Sequence, residues 1–237
     1  MSDKKEYAEG DIRAISQNEF FKLRILPTLE IDLLYVIIGS LQEYWGGYQL
    51  HEKTVDMFFV NEYTKAQTFK LLCETYLASV QVESDVKLTK VETGHSYIES
   101  KAICQILENL YQKKAKDISN REVVNLPPGN ELFITPEQLS GTDGWGYNNK
   151  RYSYLIGALI KNKIEDKPAI VFANAGHKAE LVIDILKEFS AFGDHLFSVN
   201  YYFGVPHATR INLSEDNIIW GQADAFIQLL KKETEQK

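Results

Sequence analysis

Two hydrophobic periodicities along the chain predict its helices and strands. Apolar residues at three- and four-residue steps predict a buried helix over residues 30–44, which Gly46 and Gly47 end. The same spacing predicts further helices over residues 52–61, 64–79, 97–114, 152–163 and 216–232. Alternating or β-branched apolar residues predict strands over residues 20–26, 131–135, 196–203 and 209–213, and a hairpin over residues 80–91 that turns at Ser84 and Asp85.

The segment from residue 168 to residue 189 carries the most informative pattern. A short apolar run breaks at Asn174 and Gly176, and a helical pattern begins at once. This order predicts a buried strand, a tight turn and a helix. In open α/β sheets ligands dock at such a junction, because the helix starts with unpaired N–H groups and a partial positive charge.

These elements predict an α/β (or α+β) fold with two regions. Residues 1–125 form a helix-rich region with an edge hairpin, and residues 126–237 form a mixed sheet flanked by helices that carries the site. The boundary is placed near residue 125 because the polar stretch 113–130 contains Pro127 and Pro128. A chain of 237 residues is long enough for one large core or two smaller ones, so a single compact domain stays open.

Composition narrows the class of protein. With 44% hydrophobic and 25% charged residues, the chain has the balance of an ordinary globular protein. Its longest apolar run is far shorter than the roughly 20 residues that cross a bilayer, and the polar N-terminus has no signal-peptide core. We therefore expect a cytoplasmic protein with no membrane partner. Cys73 and Cys104 lie within helical apolar patterns and are expected to be reduced core residues.

Charge is distributed unevenly along the chain. The net charge of −7 argues against a surface that grips nucleic acid everywhere. However, residues 141–178 hold six Lys or Arg residues against three Asp or Glu residues. A basic segment in an acidic chain can confine the attraction of an anion to one face, while an ordinary solvated surface is the alternative interpretation.

Within this basic segment, a glycine-rich loop over residues 141–152 mixes aromatic rings and cations. Trp145 and Tyr147 are residue types that stack on bases, and Lys150 and Arg151 can hold phosphates. The loop therefore suits a ligand or nucleic-acid groove. The same aromatic residues can instead tuck onto the core and fix a long loop.

The helix start after residue 173 is the second half of the predicted site. There Asn174, Gly176, His177 and Lys178 can hold a phosphate or carboxylate. The segment has one glycine, and the chain has no P-loop motif, so ordinary dinucleotide and P-loop sites are not indicated. We expect this start and the aromatic loop to form one electropositive site for noncatalytic binding of a nucleotide or nucleic-acid segment. A plain connection between strand and helix is the alternative.

A metal-dependent phosphodiester hydrolase is a second hypothesis. Asp143, Glu165 and Lys167 resemble the acidic residue followed by E-x-K of such nucleases, in which carboxylates hold Mg²⁺. Here, however, the E-x-K precedes the strand instead of lying within it. His207 and Arg210 follow a proline turn and are secondary candidates for binding an anion or for acid–base chemistry. Motifs of zinc and serine hydrolases are missing, so no metal site is predicted outside the Mg²⁺ hypothesis.

The aromatic content supports a third hypothesis. The chain contains 13 tyrosines and 12 phenylalanines, and an exposed aromatic patch would suit a protein partner or a homo-oligomer. This would make the protein an interaction module without a small ligand.

Residues near the end of the chain carry a resemblance to a known family. Phe172, Asn174 and Gly176, then a helix, a strand and RINLSEDNII with Asp216, resemble the end of the CRISPR adaptation accessory protein of type II-A systems. The resemblance implies a ring-forming binder of DNA ends in antiviral defence. It covers only the C-terminal part of the chain, and the aromatic glycine loop departs from the family, so no functional residue is carried over.

Overall fold

The computed structural model describes the helices and strands of ten segments of the chain. These are residues 29–42, 48–49, 53–110, 112–113, 131–133, 149–164, 167–190, 197–203, 207–213 and 218–235. The described α-helices are α1 (Leu33–Ser40), α2 (Tyr63–Ser79), α3 (Lys101–Leu110), α4 (Asn149–Asn162), α5 (Gly176–Ser190) and α6 (Ile218–Glu235), and a short 3₁₀ helix covers Val60–Glu62. The described strands are β1 (Tyr48–Gln49), β2 (Thr54–Phe58), β3 (Lys87–Lys90), β4 (Ser96–Glu99), β5 (Gln112–Lys113), β6 (Glu131–Phe133), β7 (Ala169–Ala173), β8 (Phe197–Tyr202) and β9 (Ala208–Leu213).

The strands form three small sheets, ordered β1-β6-β5, β2-β4-β3 and β7-β9-β8. Helices combined with these sheets confirm the α/β or α+β class. The prediction of a mixed sheet is corrected, because every strand pair in the described part of the chain is antiparallel. In the third sheet, α5 carries the chain from β7 to β8, and β9 then returns between them. β7 and β8 thus run in the same direction without being neighbours.

Most long periodic segments fold as predicted, and two predicted helices do not. The helices α2, α4 and α5 and the strands β8 and β9 agree with the sequence patterns. The predicted helix over residues 52–61 is wrong, since this segment contains β2. The predicted helix 97–114 is wrong at both ends, because its first residues belong to β4, which pairs with β2 and β3, and residues 112 and 113 form β5. A short apolar run is compatible with both the helix period and the strand period. In these two segments, hydrogen bonding to a neighbouring strand selects the strand.

The hairpin turns later than predicted. Gly94 has a φ of +85° and lies between β3 and β4, so the turn is there and not at Ser84 and Asp85. The predicted strand 20–26 lies outside the described residues.

The core spans both halves of the sequence. α1 crosses α4, and at this crossing Ser40 Oγ donates hydrogen bonds to the carbonyls of Val36 at 2.9 Å and Gly157 at 3.1 Å. Buried residues of both predicted regions form one continuous hydrophobic cluster. The division near residue 125 stays a prediction, because residues 114–130 are not among those described. None of the described helices combines the length and hydrophobicity needed to cross a membrane.

Candidate functional site

The junction between β7 and α5 has the predicted strand, turn and helix. β7 ends at Ala173, and Asn174 takes the left-handed conformation with φ of +54°. Asparagine tolerates this conformation better than most residues. The Asn174 N–H donates to the His207 carbonyl at 2.8 Å, and α5 begins at Gly176. The turn is thereby fixed to the start of β9, where His207 lies.

A cavity of about 350 Å³ opens at this junction. Such a volume falls at the small end of the range for ligand sites. Its aromatic walls come from Phe172, Tyr201, Tyr202 and Phe203. Its polar lining comes from Asn174, Gly176, His177, Glu180, His207 and Thr209. The structure therefore brings three residues of the predicted helix start together with His207, a secondary candidate from a segment 30 positions later in the chain.

Three consecutive aromatic residues of this cavity reach into solvent. Tyr201 is 57% exposed, Tyr202 is 51% exposed and Phe203 is 87% exposed. The Phe203 ring meets the His207 ring edge to face, with centroids 6.1 Å apart. Sequence reasoning did not select these residues for the site. The sequence feature that could have identified them is a run of aromatic residues at the end of a predicted strand, just before the proline turn.

Lys178 lies in the core and does not line the cavity. Only 1% of its surface is exposed, its Nζ donates a hydrogen bond to the Leu41 carbonyl, and it lies 5.7 Å from the Tyr154 ring centroid. The expected contact between Lys178 and a surface anion is therefore not supported by its position. Its ammonium group joins the first turn of α5 to the end of α1.

The two cations at the start of α4 are also engaged within the protein. Lys150 Nζ lies 5.2 Å from the Tyr35 ring centroid, and Arg151 forms an ion pair with Glu188. Glu188 is twelve residues beyond Gly176, so it lies about 18 Å further along α5. The structure thus places Arg151 near the end of α5 and not at its start. Trp145 and Tyr147 lie outside the described residues.

Of the three hydrolase residues, only Lys167 belongs to the described part of the chain, so the hydrolase site stays a prediction. Asp143 and Glu165 lie outside the described residues, and Lys167 is exposed on the turn before β7. In the described segments, no group of three or more His, Cys, Asp or Glu residues could hold a metal ion. The remaining secondary candidate, Arg210, lies on β9, where its Nε donates to Asn212 Oδ1 at 2.7 Å.

A buried ion pair joins the two halves of the core. Lys161 Nζ lies 3.1 Å from Asp56 Oδ2 and 3.3 Å from the Phe58 ring centroid, and both charged side chains are 2% exposed. Burial raises the pKa of Asp56 and outweighs the opposing effects of Lys161 and of the backbone donors. Both residues lie away from the cavity, so this pair connects β2 to α4 and has a structural role. Sequence periodicity offered no signal for it.

Comparisons with known proteins give no family for this chain. No protein-family model, curated protein or solved structure matches it. The resemblance to the type II-A CRISPR accessory protein stays a prediction, and the assignment of function depends on the geometry of the cavity.

Proposed function

We propose that the protein binds a nucleotide or a nucleic-acid segment without catalysis, in the cavity at the start of α5. The observation that carries this proposal is the cavity itself, which is lined both by exposed aromatic rings and by the start of a helix. A base with its phosphate has two matching parts, a flat aromatic face and an anion. The site is smaller than the one expected from the sequence, since Lys178 and Arg151 have partners elsewhere.

The aromatic wall suits a base. Tyr201, Tyr202 and Phe203 are exposed, so a ligand that covers them buries apolar surface without moving the core. Stacking of one base on an aromatic side chain contributes about 1–3 kcal/mol. Any base has a flat face, so these contacts favour nucleotides as a class and not one base.

The helix start suits a phosphate. The first turn of α5 carries the positive end of the helix dipole, and His177 and His207 border the same cavity. Glu180 lies one turn into α5 and also borders the cavity, where its carboxylate repels an anion. Removing a histidine should therefore lower the affinity for a phosphate, whereas neutralising Glu180 should raise it.

Binding isotherms of purified variants test this proposal. The ligands are nucleoside monophosphates, short labelled single strands and a blunt duplex, the last because the CRISPR resemblance implies DNA ends. Phe203→Ser should weaken binding about ten-fold through lost stacking. His207→Ala should weaken it several-fold, whereas Glu180→Gln should strengthen it at low salt.

The matched control is Leu229→Ser, which changes an exposed apolar residue on α6, away from the cavity. Its affinity should equal that of the wild type. Failure of every ligand to bind at millimolar concentration would overturn the proposal, as would equal losses in Phe203→Ser and Leu229→Ser.

The exposed aromatic residues also favour a second candidate, an interaction module. Phe203, at 87% exposure, is the type of side chain that protein interfaces bury. Light scattering across a concentration series separates the two candidates. Self-association that Phe203→Ser abolishes, together with no nucleotide binding, would support the interaction module in place of the nucleotide site.

A further inference from the structure

The face of the sheet β7-β9-β8 that lies opposite the core is partly exposed, and it contains Arg210. Along β9, buried residues alternate with partly buried ones, and Arg210 and Asn212 belong to the partly buried set. Side chains two residues apart share a face, so both lie opposite the core. On the neighbouring strand, Asn200 pairs with Arg210 and Ser198 pairs with Asn212, and both partners are exposed. The result is a polar surface across two strands.

Hydrogen bonds hold Arg210 in a fixed position on this surface. Its Nε donates to Asn212 Oδ1 at 2.7 Å, and Asn212 Nδ2 donates to Ser198 Oγ at 3.4 Å. Within the described part of the chain, no other hydrogen bond or ion pair involves the Arg210 side chain. The two terminal nitrogens of the guanidinium group therefore remain available as a planar fork, the geometry that binds phosphate through two hydrogen bonds.

This surface is continuous with the cavity at the start of α5. Ala208 and Tyr202 line the cavity, and each lies two residues from a member of the polar surface, Arg210 and Asn200 respectively. Two strand residues span about 7 Å. That distance is comparable to one backbone repeat of an extended single strand, so a ligand in the cavity can reach Arg210 with its next phosphate.

The charge of the sheet favours a polyanion. Among the described residues of β7, β8 and β9, Arg210 is the only charged one. A basic peptide would meet a cation here and no carboxylate on the strands, whereas phosphates meet a cation and two amides. The exposed Tyr202 ring, at the edge of this surface, needs an open base face to stack on. A single strand offers such a face at every unstacked base, whereas a duplex offers it only at its ends.

We infer that the ligand is a single-stranded oligonucleotide of two or more nucleotides, whose terminal nucleotide fills the cavity and whose next phosphate binds Arg210. This inference rests on the function proposed above and adds the length and the strandedness of the ligand. Arg210 is a binding residue, and Asn212 and Ser198 position it.

The experiment compares a nucleoside monophosphate, a dinucleotide with a terminal phosphate and a labelled single-stranded pentamer. Binding to the full chain is measured in a series of salt concentrations. The wild type should bind the dinucleotide and the pentamer at least ten-fold more tightly than the monophosphate. Arg210→Gln should remove most of this difference, lower the salt slope of pentamer binding by about 0.7 and leave the monophosphate affinity within two-fold.

Three further variants test whether the effect comes from the fork. Arg210→Lys should restore the salt slope without the full affinity, because an ammonium group cannot bind bidentately. Asn212→Ala should weaken pentamer binding without changing the salt slope. Lys87→Gln removes the same charge from the exposed strand β3 of another sheet and should change nothing. Thermal unfolding checks that each variant is folded.

The outcomes separate this inference from the proposed function. If the wild type binds no ligand, both fail. If it binds the monophosphate and the pentamer equally well, or if Arg210→Gln weakens both to the same extent, only the inference fails. Preference for duplex over the pentamer would also overturn it.

Discussion

Gly39 of α1 and Gly157 of α4 lie at one helix crossing, each pressed against the backbone of the opposite helix. A Cβ on Gly39 would be 2.0 Å from the Tyr154 carbonyl oxygen, and a Cβ on Gly157 would be 2.1 Å from the Val36 carbonyl oxygen. Only glycine permits this separation, because any side chain would overlap a main chain that cannot move alone. The core that supports the junction of β7 and α5 depends on this contact.

Substitution of either glycine should therefore separate the helices. Gly39→Ala and Gly157→Ala should each lower the free energy of unfolding by about 1–3 kcal/mol or more, as overpacked cores do. Gly221→Ala is the matched control, since nothing lies within 4 Å of the added methyl group on α6. It should stabilise the protein by about 0.5–1 kcal/mol, since alanine is the better helix former. Chemical denaturation measures the free energy of unfolding of all three variants. If Gly221→Ala had the same effect as the two core substitutions, the close approach of α1 and α4 would be contradicted.

The buried pair of Asp56 and Lys161 should show strong coupling. Lys161→Met leaves a desolvated carboxylate without its cation and should cost about 3–5 kcal/mol of unfolding free energy. Asp56→Asn keeps an acceptor for the N–H groups of Gln42 and Met57, which donate to Asp56 in the wild type. The double variant should be more stable than the sum of the single losses predicts, by at least about 1 kcal/mol. Additive losses in a double-mutant cycle would show that the pair does not interact.

Lys178 should act on stability and not on ligand binding. Lys178→Met keeps the packing of the stem but leaves the Leu41 carbonyl without this donor, so we expect a loss of about 1–3 kcal/mol. Lys187→Met is the control on the same helix, where an exposed i,i+3 pair with Asp184 should contribute less than about 0.5 kcal/mol. Nucleotide affinity should be unchanged in both. A loss of affinity at unchanged stability would instead assign Lys178 to the phosphate.

Asp85 should stabilise the start of α3 in a pH-dependent way. Burial alone would raise the pKa of Asp85, but hydrogen bonds from Ser100 Oγ and from the N–H groups of Lys101 and Ala102 lower it overall. Its stabilising effect is thus complete above the unfolded pKa of about 3.9 and is lost as the pH falls through the lower folded value. Asp85→Asn should cost about 0.5 kcal/mol at pH 7, a small effect because the residue is exposed to solvent.

Unfolding measured between pH 2.5 and pH 7 checks the sign of this effect. The difference between the wild type and Asp85→Asn should shrink below about pH 4. Ser100→Ala, which removes the side chain that accepts from the Ile103 N–H at 3.1 Å, should cost about 1 kcal/mol. A difference for Asp85→Asn that grows toward low pH would contradict the lowered pKa.

The two thiols should be unreactive in the folded protein. Burial raises the pKa of Cys104 to about 12 and raises that of Cys73 well above the ordinary range. The thiolate is the reactive form, so a disulfide reagent at pH 8 should modify neither residue until denaturant is added. Rapid modification of the native protein would show that one of these cysteines is accessible.

Local patterns were sufficient for the strand–turn–helix unit, because each of its parts is defined by neighbours in sequence. A helix stripe and a buried strand follow from spacing alone, and Asn174 marks the turn between them. The cavity, however, is completed by Tyr201, Phe203 and His207, which reach it only because β9 inserts between β7 and β8. Strand order is a long-range property, so no short segment could predict it.

The sequence by itself determined the class of fold, the long helices and the strand–turn–helix junction between β7 and α5. The tertiary structure decided which cations are buried in the core and engaged by other parts of the protein. Lys161 donates a hydrogen bond to Asp56, 105 positions away in sequence, and Lys178 donates one to the Leu41 carbonyl, 137 positions away. A lysine on a strand or helix looks the same in sequence whether it is buried or exposed. Such a lysine can be buried only where a distant segment supplies an oxygen atom that accepts the hydrogen bonds it would otherwise make to water.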